Sequence, residues 1–164
     1  MSATTTSSSP LRTEPMPGLK DAGVLVTGGT SGIGQAIAVR FAQYGANVAI
    51  NYLRQPDEAT DTEQQVQACV NRVQQEGVRD VLVRGDVSRE EDVVPMVEHA
   101  ISELGGLDVL INNAGIQVSR HSEELMIEDF DKVLAVNVRG AFLCAREAIR
   151  HFLAEGKPGV IINV

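Results

Sequence analysis

Aromatic residues are scarce in this chain. It has 164 residues with no Trp, two Tyr and four Phe, although 43% of it is hydrophobic. A core without aromatics must be built from Val, Ile, Leu and Ala, which suits a parallel sheet wrapped by helices rather than a β-sandwich. Basic residues are also few, 14 against 22 acidic ones, for a net charge of −8. With no basic stripe, no nucleic-acid partner is expected. No apolar run is long enough to span a bilayer, so no membrane partner is expected either. The only cysteines, Cys69 and Cys144, stand far apart among apolar neighbours. Each is expected as a reduced, buried thiol in a cytoplasmic protein. His99, His121 and His151 are scattered without ligand spacing, so they are expected at the surface and no metal site is expected.

The N-terminal stretch "MSATTTSSSPLRTEPMPG" has no apolar core of the kind a secretory signal needs. Its Ser, Thr and Pro content predicts a disordered tail over residues 1–18, followed by one domain over 19–164.

From Lys20 onward, strand and helix patterns alternate. Val24–Thr27 reads as a first strand. Ile33, Ile37, Phe41 and Tyr44 follow at helical spacing, closed by Gly45. Asn47–Asn51 is a second strand, and Glu58–Glu76 a helix ended by Gly77. Asp80–Gly85 is a third strand. Ser88 and Glu91 have the form of a capping box and open a helix to about Leu104, with Pro95 expected to kink it. Leu107–Ile111 is a fourth strand, Ile127–Ala154 one long helix, and "GVIINV" the closing strand, its β-branched run expected to be buried. Right-handed crossovers make this an α/β doubly wound parallel sheet of the Rossmann type, in strand order 3-2-1-4-5, which places the closing strand at an edge rather than in the interior.

"TGGTSGIG" (Thr27–Gly34) lies where the first strand hands over to the first helix. There Gly28 permits the tight turn, Gly32 lets the backbone approach a diphosphate, and Gly34 allows close helix–strand packing. The positive end of the helix then faces the phosphates. Thr30 and Ser31 can cap that helix or donate to phosphate oxygens.

The spacing is T-G-x-x-x-G-x-G, and three further motifs follow in order: Gly85-Asp86-Val87 after the third strand, Asn112–Gly115 ("NNAG") after the fourth, and Asn137 within "VNVRGAF". Together they resemble the short-chain dehydrogenase/reductase family, over about Gly23 to Val164. "AINYLR", "NNAGIQ" and "REAIRHF" further resemble its bacterial glucose 1-dehydrogenase branch.

The resemblance implies hydride transfer between a nicotinamide dinucleotide and an alcohol or carbonyl. It implies that Asp86 takes the adenine amino group and that Val87 packs on the ring. Ile33, Asn113, Ala114 and Gly115 would line the cofactor, and Asn137 would fix a water that passes protons to a catalytic Lys. Asn137 also shares a helical face with Val133, Gly140, Ala141 and Cys144, a stripe expected to pack inward. The second strand ends Asn51-Tyr52-Leu53-Arg54, without the carboxylate that grips the ribose of NAD. Arg54 can pair with a 2′-phosphate, so NADP is favoured, with NAD use left open.

The resemblance also requires a Ser after the closing strand and a Y-x-x-x-K pair on the next helix. Tyr44 and Tyr52 are not followed by Lys at the fourth position, so the chain is expected to be truncated before its own catalytic part. A small-molecule substrate such as a sugar, and homo-oligomerisation of full-length relatives, are implied. The alternative is a non-catalytic module that binds a dinucleotide or docks on a partner.

Overall fold

The structure is a computed structural model that describes residues 16–53 and 59–164. Of the expected tail, Met16–Gly18 belong to a turn anchored by the Met16 N–H on the Tyr44 carbonyl at 3.2 Å. Residues 1–15 lie outside the described residues.

Strands β1 (Gly23–Val26), β2 (Asn47–Tyr52), β3 (Asp80–Arg84), β4 (Val109–Asn112) and β5 (Val160–Asn163) form one parallel sheet in the order β3-β2-β1-β4-β5. Helices α1 (Gly32–Gln43), α2 (Ala59–Gln74), α3 (Glu90–Leu104), α4 (Ile127–Leu134) and α5 (Ala141–Glu155) flank it. The strands alternate at period two. Val24, Val26, Val48, Ile50, Val109 and Ile111 point into one core with Ala38, Cys69 and Val73 of α1 and α2. Leu25, Ala49, Val83 and Leu110 point into the other, with Val93, Val97, Leu143, Ala148 and Phe152 of α3 and α5. Each fully buried Val or Leu contributes about 1.5–3 kcal/mol, so the near-continuous apolar strands are explained by helices on both faces.

Four expectations are corrected. The first is the capping box. Asp86 Oδ1 accepts both the Ser88 N–H at 2.9 Å and the Ser88 hydroxyl at 2.7 Å, so that hydroxyl caps nothing. The N-cap of α3 is Arg89, which makes no side-chain cap, and the Glu91 carboxylate pairs with Arg89. The helix runs on through Pro95. Second, the long helix is not uniform: between α4 and α5, residues Ala135–Gly140 wind as a π-helix. Third, the β-branched run of β5 is not buried on both faces: β5 is the edge that the strand order implies, paired to β4, where Ile161 packs inward while Val160 and Ile162 are exposed. Fourth, His151 is half-buried, and its Nε2 accepts the Leu107 N–H at 3.1 Å. His99 and His121 are exposed.

Candidate functional site

β1 and β4 are neighbours where the strand order reverses, and the carboxyl edge at such a switch point is where open α/β sheets bind ligands. A cleft of about 670 Å³ opens there. Its floor begins at the turn after β1. Gly28 has φ +59° and Gly32 φ +52°, and nothing lies within 4 Å of where a Gly32 side chain would begin. At Gly34 the reverse holds, since a Cβ would run into the Gly28 carbonyl and the Asn113 amide. Ser31 sits at the N-cap of α1 with extended backbone and no side-chain cap bond. The first-turn N–H groups of α1 have no intrahelical acceptor, and no acidic residue stands in that turn. The positive helix end is thus bare toward the cleft. Thr30 is buried, and its carbonyl accepts the Gln35 side-chain amide at 3.1 Å.

The segment after β4 is stitched onto this turn. Asn113 Nδ2 donates to the carbonyls of Thr27 at 2.9 Å and Gly28 at 3.1 Å. Ala114 and Gly115 continue along the cleft wall. After β3, Asp86 and Val87 form the opposite end. Asp86 Oδ1 is committed to Ser88, while Oδ2 carries no hydrogen bond among the described residues. From β2, Tyr52 and Leu53 line the cleft, and Arg54 lies outside the described residues.

The structure therefore brings Gly28, Thr30, Ser31, Gly32, Ile33, Gly34, Tyr52, Asp86, Val87, Asn113, Ala114 and Gly115 to one cleft. Ile33, expected both on the apolar stripe of α1 and along the cofactor, is 65% exposed and lines that cleft. Asn51, Gln65, Gly85, Ser88, Ile116, Lys132, Ala135 and Val136 also line it and were not anticipated. Asn51 carried a signal, a polar residue inside an apolar strand. Gly85 and Ser88 merely flank Asp86 and Val87. The helical residues carried none.

Asn137 lies on the π-helical stretch and is exposed, which corrects its expected burial. One acceptor and one donor site of its amide are used all the same. Oδ1 accepts the Ile116 N–H at 2.9 Å and Nδ2 donates to the Ile116 carbonyl at 3.0 Å. Gly115, Ile116 and Asn137 also border a second, open cavity of about 590 Å³, lined further by Gln117, Val118, Leu125, Phe130 and Val133.

Burial pushes the thiol of Cys69 up, and that of Cys144 up to about 12. Both are free and buried. Among the described residues no group of three or more His, Cys, Asp or Glu is placed to hold a metal, and no helix is long and apolar enough to cross a membrane.

The fold and this cleft define an α/β protein of the doubly wound, nucleotide-binding type. The chain belongs to the short chain dehydrogenase family, whose model matches residues 22–164, and that family uses NAD(P) and acts on small molecules. It is 43% identical over 139 residues to glucose 1-dehydrogenase of Gluconobacter oxydans, covering 85% of this chain and 50% of that protein. It is 39% identical over 146 residues to 3beta-hydroxysteroid dehydrogenase 1 of Eggerthella lenta, covering 89% of this chain and 53% of the other. Among solved structures, a short-chain dehydrogenase from Burkholderia cenocepacia in complex with NADP superposes with TM-score 0.73 at 37% identity, over 81% of this chain and 51% of that one. A Mycobacterium marinum short-chain type dehydrogenase/reductase superposes with TM-score 0.78 at 31% identity, over 88% and 56%. The chain spans about half the length of the relatives it matches.

Proposed function

We propose that this chain carries the cofactor-binding half of an NAD(P)-dependent oxidoreductase that moves a hydride between a nicotinamide and an alcohol or carbonyl carbon. A sugar of the glucose type is the proposed substrate and NADP the preferred cofactor. The observation that carries this is the convergence of the glycine turn, Asp86–Val87 and Asn113–Gly115 on one cleft.

The residues fit a dinucleotide. Gly32 is open on its Cα side and the N-terminus of α1 is uncapped, so backbone N–H groups can receive a diphosphate. Thr30 and Ser31 can add hydroxyl donors. Asp86 Oδ2 can accept an adenine amino group, with Val87 against the ring. Ile33 and Ala114 supply apolar walls, and Gly115 leads toward the second cavity, where the substrate alcohol would lie. When bound, the nicotinamide supplies or accepts the hydride. Asn137 clamps Ile116 between the two cavities and, in the family's role, holds a water of the proton path. The described end of β2 presents Asn51, Tyr52 and Leu53 with no carboxylate. That favours NADP, with Arg54 as the 2′-phosphate partner and NAD as the weaker ligand.

Two buried free thiols fit a reducing, cytoplasmic setting. The exposed row Phe130, Leu134, Val138 and Phe142 supports homo-oligomerisation of the whole protein.

A second reading, limited to the 164 residues given, is a dinucleotide-binding module without turnover of its own: they hold no Tyr with a Lys four positions on, and they span about half the length of the relatives matched. Fluorescence titration of the 164-residue chain with NADPH and NADH tests the cofactor assignment, and saturable binding with NADPH the tighter ligand is expected. No binding of either would overturn it. NADPH formation from glucose and NADP by the same chain is expected to be absent, and turnover there would remove the non-catalytic reading.

A further inference from the structure

The pairing of β1 with β2 stops at Val26↔Ile50. Beyond it β1 turns away into Thr27–Gly34, while β2 continues, still paired to β3 at Asn51↔Val83 and Tyr52↔Arg84. A gap therefore opens between the glycine turn and β3, and one residue fills it. The Asn51 carbonyl accepts the Gly29 N–H at 2.9 Å, and its side-chain Oδ1 accepts the Gly28 N–H at 3.0 Å. On the other side Nδ2 donates to the carbonyls of Gly85 at 3.0 Å and Val83 at 3.2 Å, and also meets Met96 Sδ at 2.9 Å. The residue is only 2% exposed.

Asn51 lies on β2 one residue before the strand ends at Tyr52. Its amide is spent inward, so it is not a ribose ligand. Its two partners are the phosphate turn at Gly28 and the strand end at Gly85, directly before Asp86. Both border the cleft.

We propose that Asn51 is a positioning residue: its buried amide bridges Gly28 and Gly85 and so fixes the spacing between the phosphate turn and the adenine end of the cleft. This rests on the dinucleotide reading given above. The bridge needs a neutral group that accepts on one side and donates on the other. Asn supplies both, whereas a carboxylate keeps only the acceptor and faces two carbonyls.

The probe is adenosine 2′,5′-bisphosphate, measured by calorimetry against the parent chain and Asn51→Asp at each pH. At about pH 8 the variant is expected to bind at least about tenfold more weakly, the scale of one lost buried hydrogen bond. Toward about pH 5 the ratio to the parent should close, because a protonated carboxyl can again donate to Gly85 while accepting from Gly28. Asn51→Ser, neutral but too short for both partners, should show the loss without the pH dependence. Circular dichroism establishes that each variant is folded. Equal affinity of a folded variant and the parent overturns the proposal while leaving the cofactor reading intact. A parent that binds neither this probe nor NADH overturns both. A readout free of any variant is amide exchange in the parent, where the Gly28 N–H should be protected, and fast exchange there overturns the bridge itself.

Discussion

Thr27 holds Asn113 through two hydrogen bonds and is itself tied to β4 by a third. The Thr27 hydroxyl oxygen accepts the Asn113 N–H at 3.0 Å, the Thr27 carbonyl accepts Asn113 Nδ2 at 2.9 Å, and the Thr27 hydroxyl donates back along β4 to the Ile111 carbonyl at 3.3 Å. The same hydroxyl oxygen accepts the Ala114 N–H at 3.0 Å. One buried threonine thereby joins the turn after β1 to the segment after β4.

Replacing it by the isostere, Thr27→Val, keeps the volume and leaves two backbone N–H groups without an acceptor. Each orphaned donor costs about 1–3 kcal/mol, so a total loss of about 2–6 kcal/mol is expected. Urea unfolding of the variant measures it. A loss below about 1 kcal/mol would show that water replaces the hydroxyl.

Two glycines of the same turn should respond differently. Gly34→Ala drives a methyl group into the Gly28 carbonyl and the Asn113 amide, which forces backbone to move. Overpacking of this kind costs about 1–3 kcal/mol, and NADPH affinity should fall with it. Gly32→Ala meets open space and pays only for φ +52°, roughly 1 kcal/mol. Its methyl group would stand where a diphosphate must approach. Thermal melts should therefore rank Gly34→Ala below Gly32→Ala, while NADPH titration should find both weakened. Unchanged affinity in Gly32→Ala would place the diphosphate elsewhere.

The sheet order was legible because each strand is a short apolar run punctuated by glycine, and because right-handed crossovers leave few topologies. The glycine turn, Asp86–Val87 and Asn113–Gly115 were legible for a related reason: they follow strands, and strand ends meet at one edge. Non-local consequences were not. Asn51 stands out only as a polar residue in an apolar strand, and its role appears once the register with Val83 and the end of pairing at Val26 leave its amide between two turns. Ser88 and Glu91 match a capping box in sequence, but Asp86, two residues earlier, captures the Ser88 hydroxyl by a shorter route. Nothing in "AVNVRG" marks a π-helix, and Asn137 looked buried because a regular helix would align it with Cys144.

The two thiols give a pH dependence. Burial holds the Cys144 thiol at about 12, against an ordinary value of 9.0. Between those values the unfolded chain has lost a proton that the folded chain keeps, so stability falls as pH rises. Below about pH 8 this group should leave stability flat. Above about pH 9 it should remove up to roughly 1.4 kcal/mol per pH unit. Cys69 shifts in the same direction. Denaturant unfolding between neutral and alkaline pH, with Cys144→Ala as control, checks the slope. At neutral pH a thiol-reactive disulfide should label neither cysteine until denaturant is added. Rapid labelling of the folded chain would contradict the burial.

The two oxygens of Asp86 separate its local role from its proposed ligand role. Oδ1 accepts two bonds from Ser88, and Oδ2 has no protein partner among the described residues. Asp86→Asn can keep an oxygen toward Ser88 and then presents an NH2 group to the cleft. That group repels an adenine amino donor instead of accepting from it. The expected result is an NADPH affinity reduced by about tenfold, near 1.4 kcal/mol, with stability within about 1 kcal/mol of the parent. Asp86→Ala should lose the same affinity and also the Ser88 turn, so its stability should fall further. NADPH fluorescence titration and urea unfolding of both variants give the two numbers. If Asp86→Asn binds as the parent does while Asp86→Ala unfolds earlier, Asp86 serves the turn before α3 and the adenine is held by other groups.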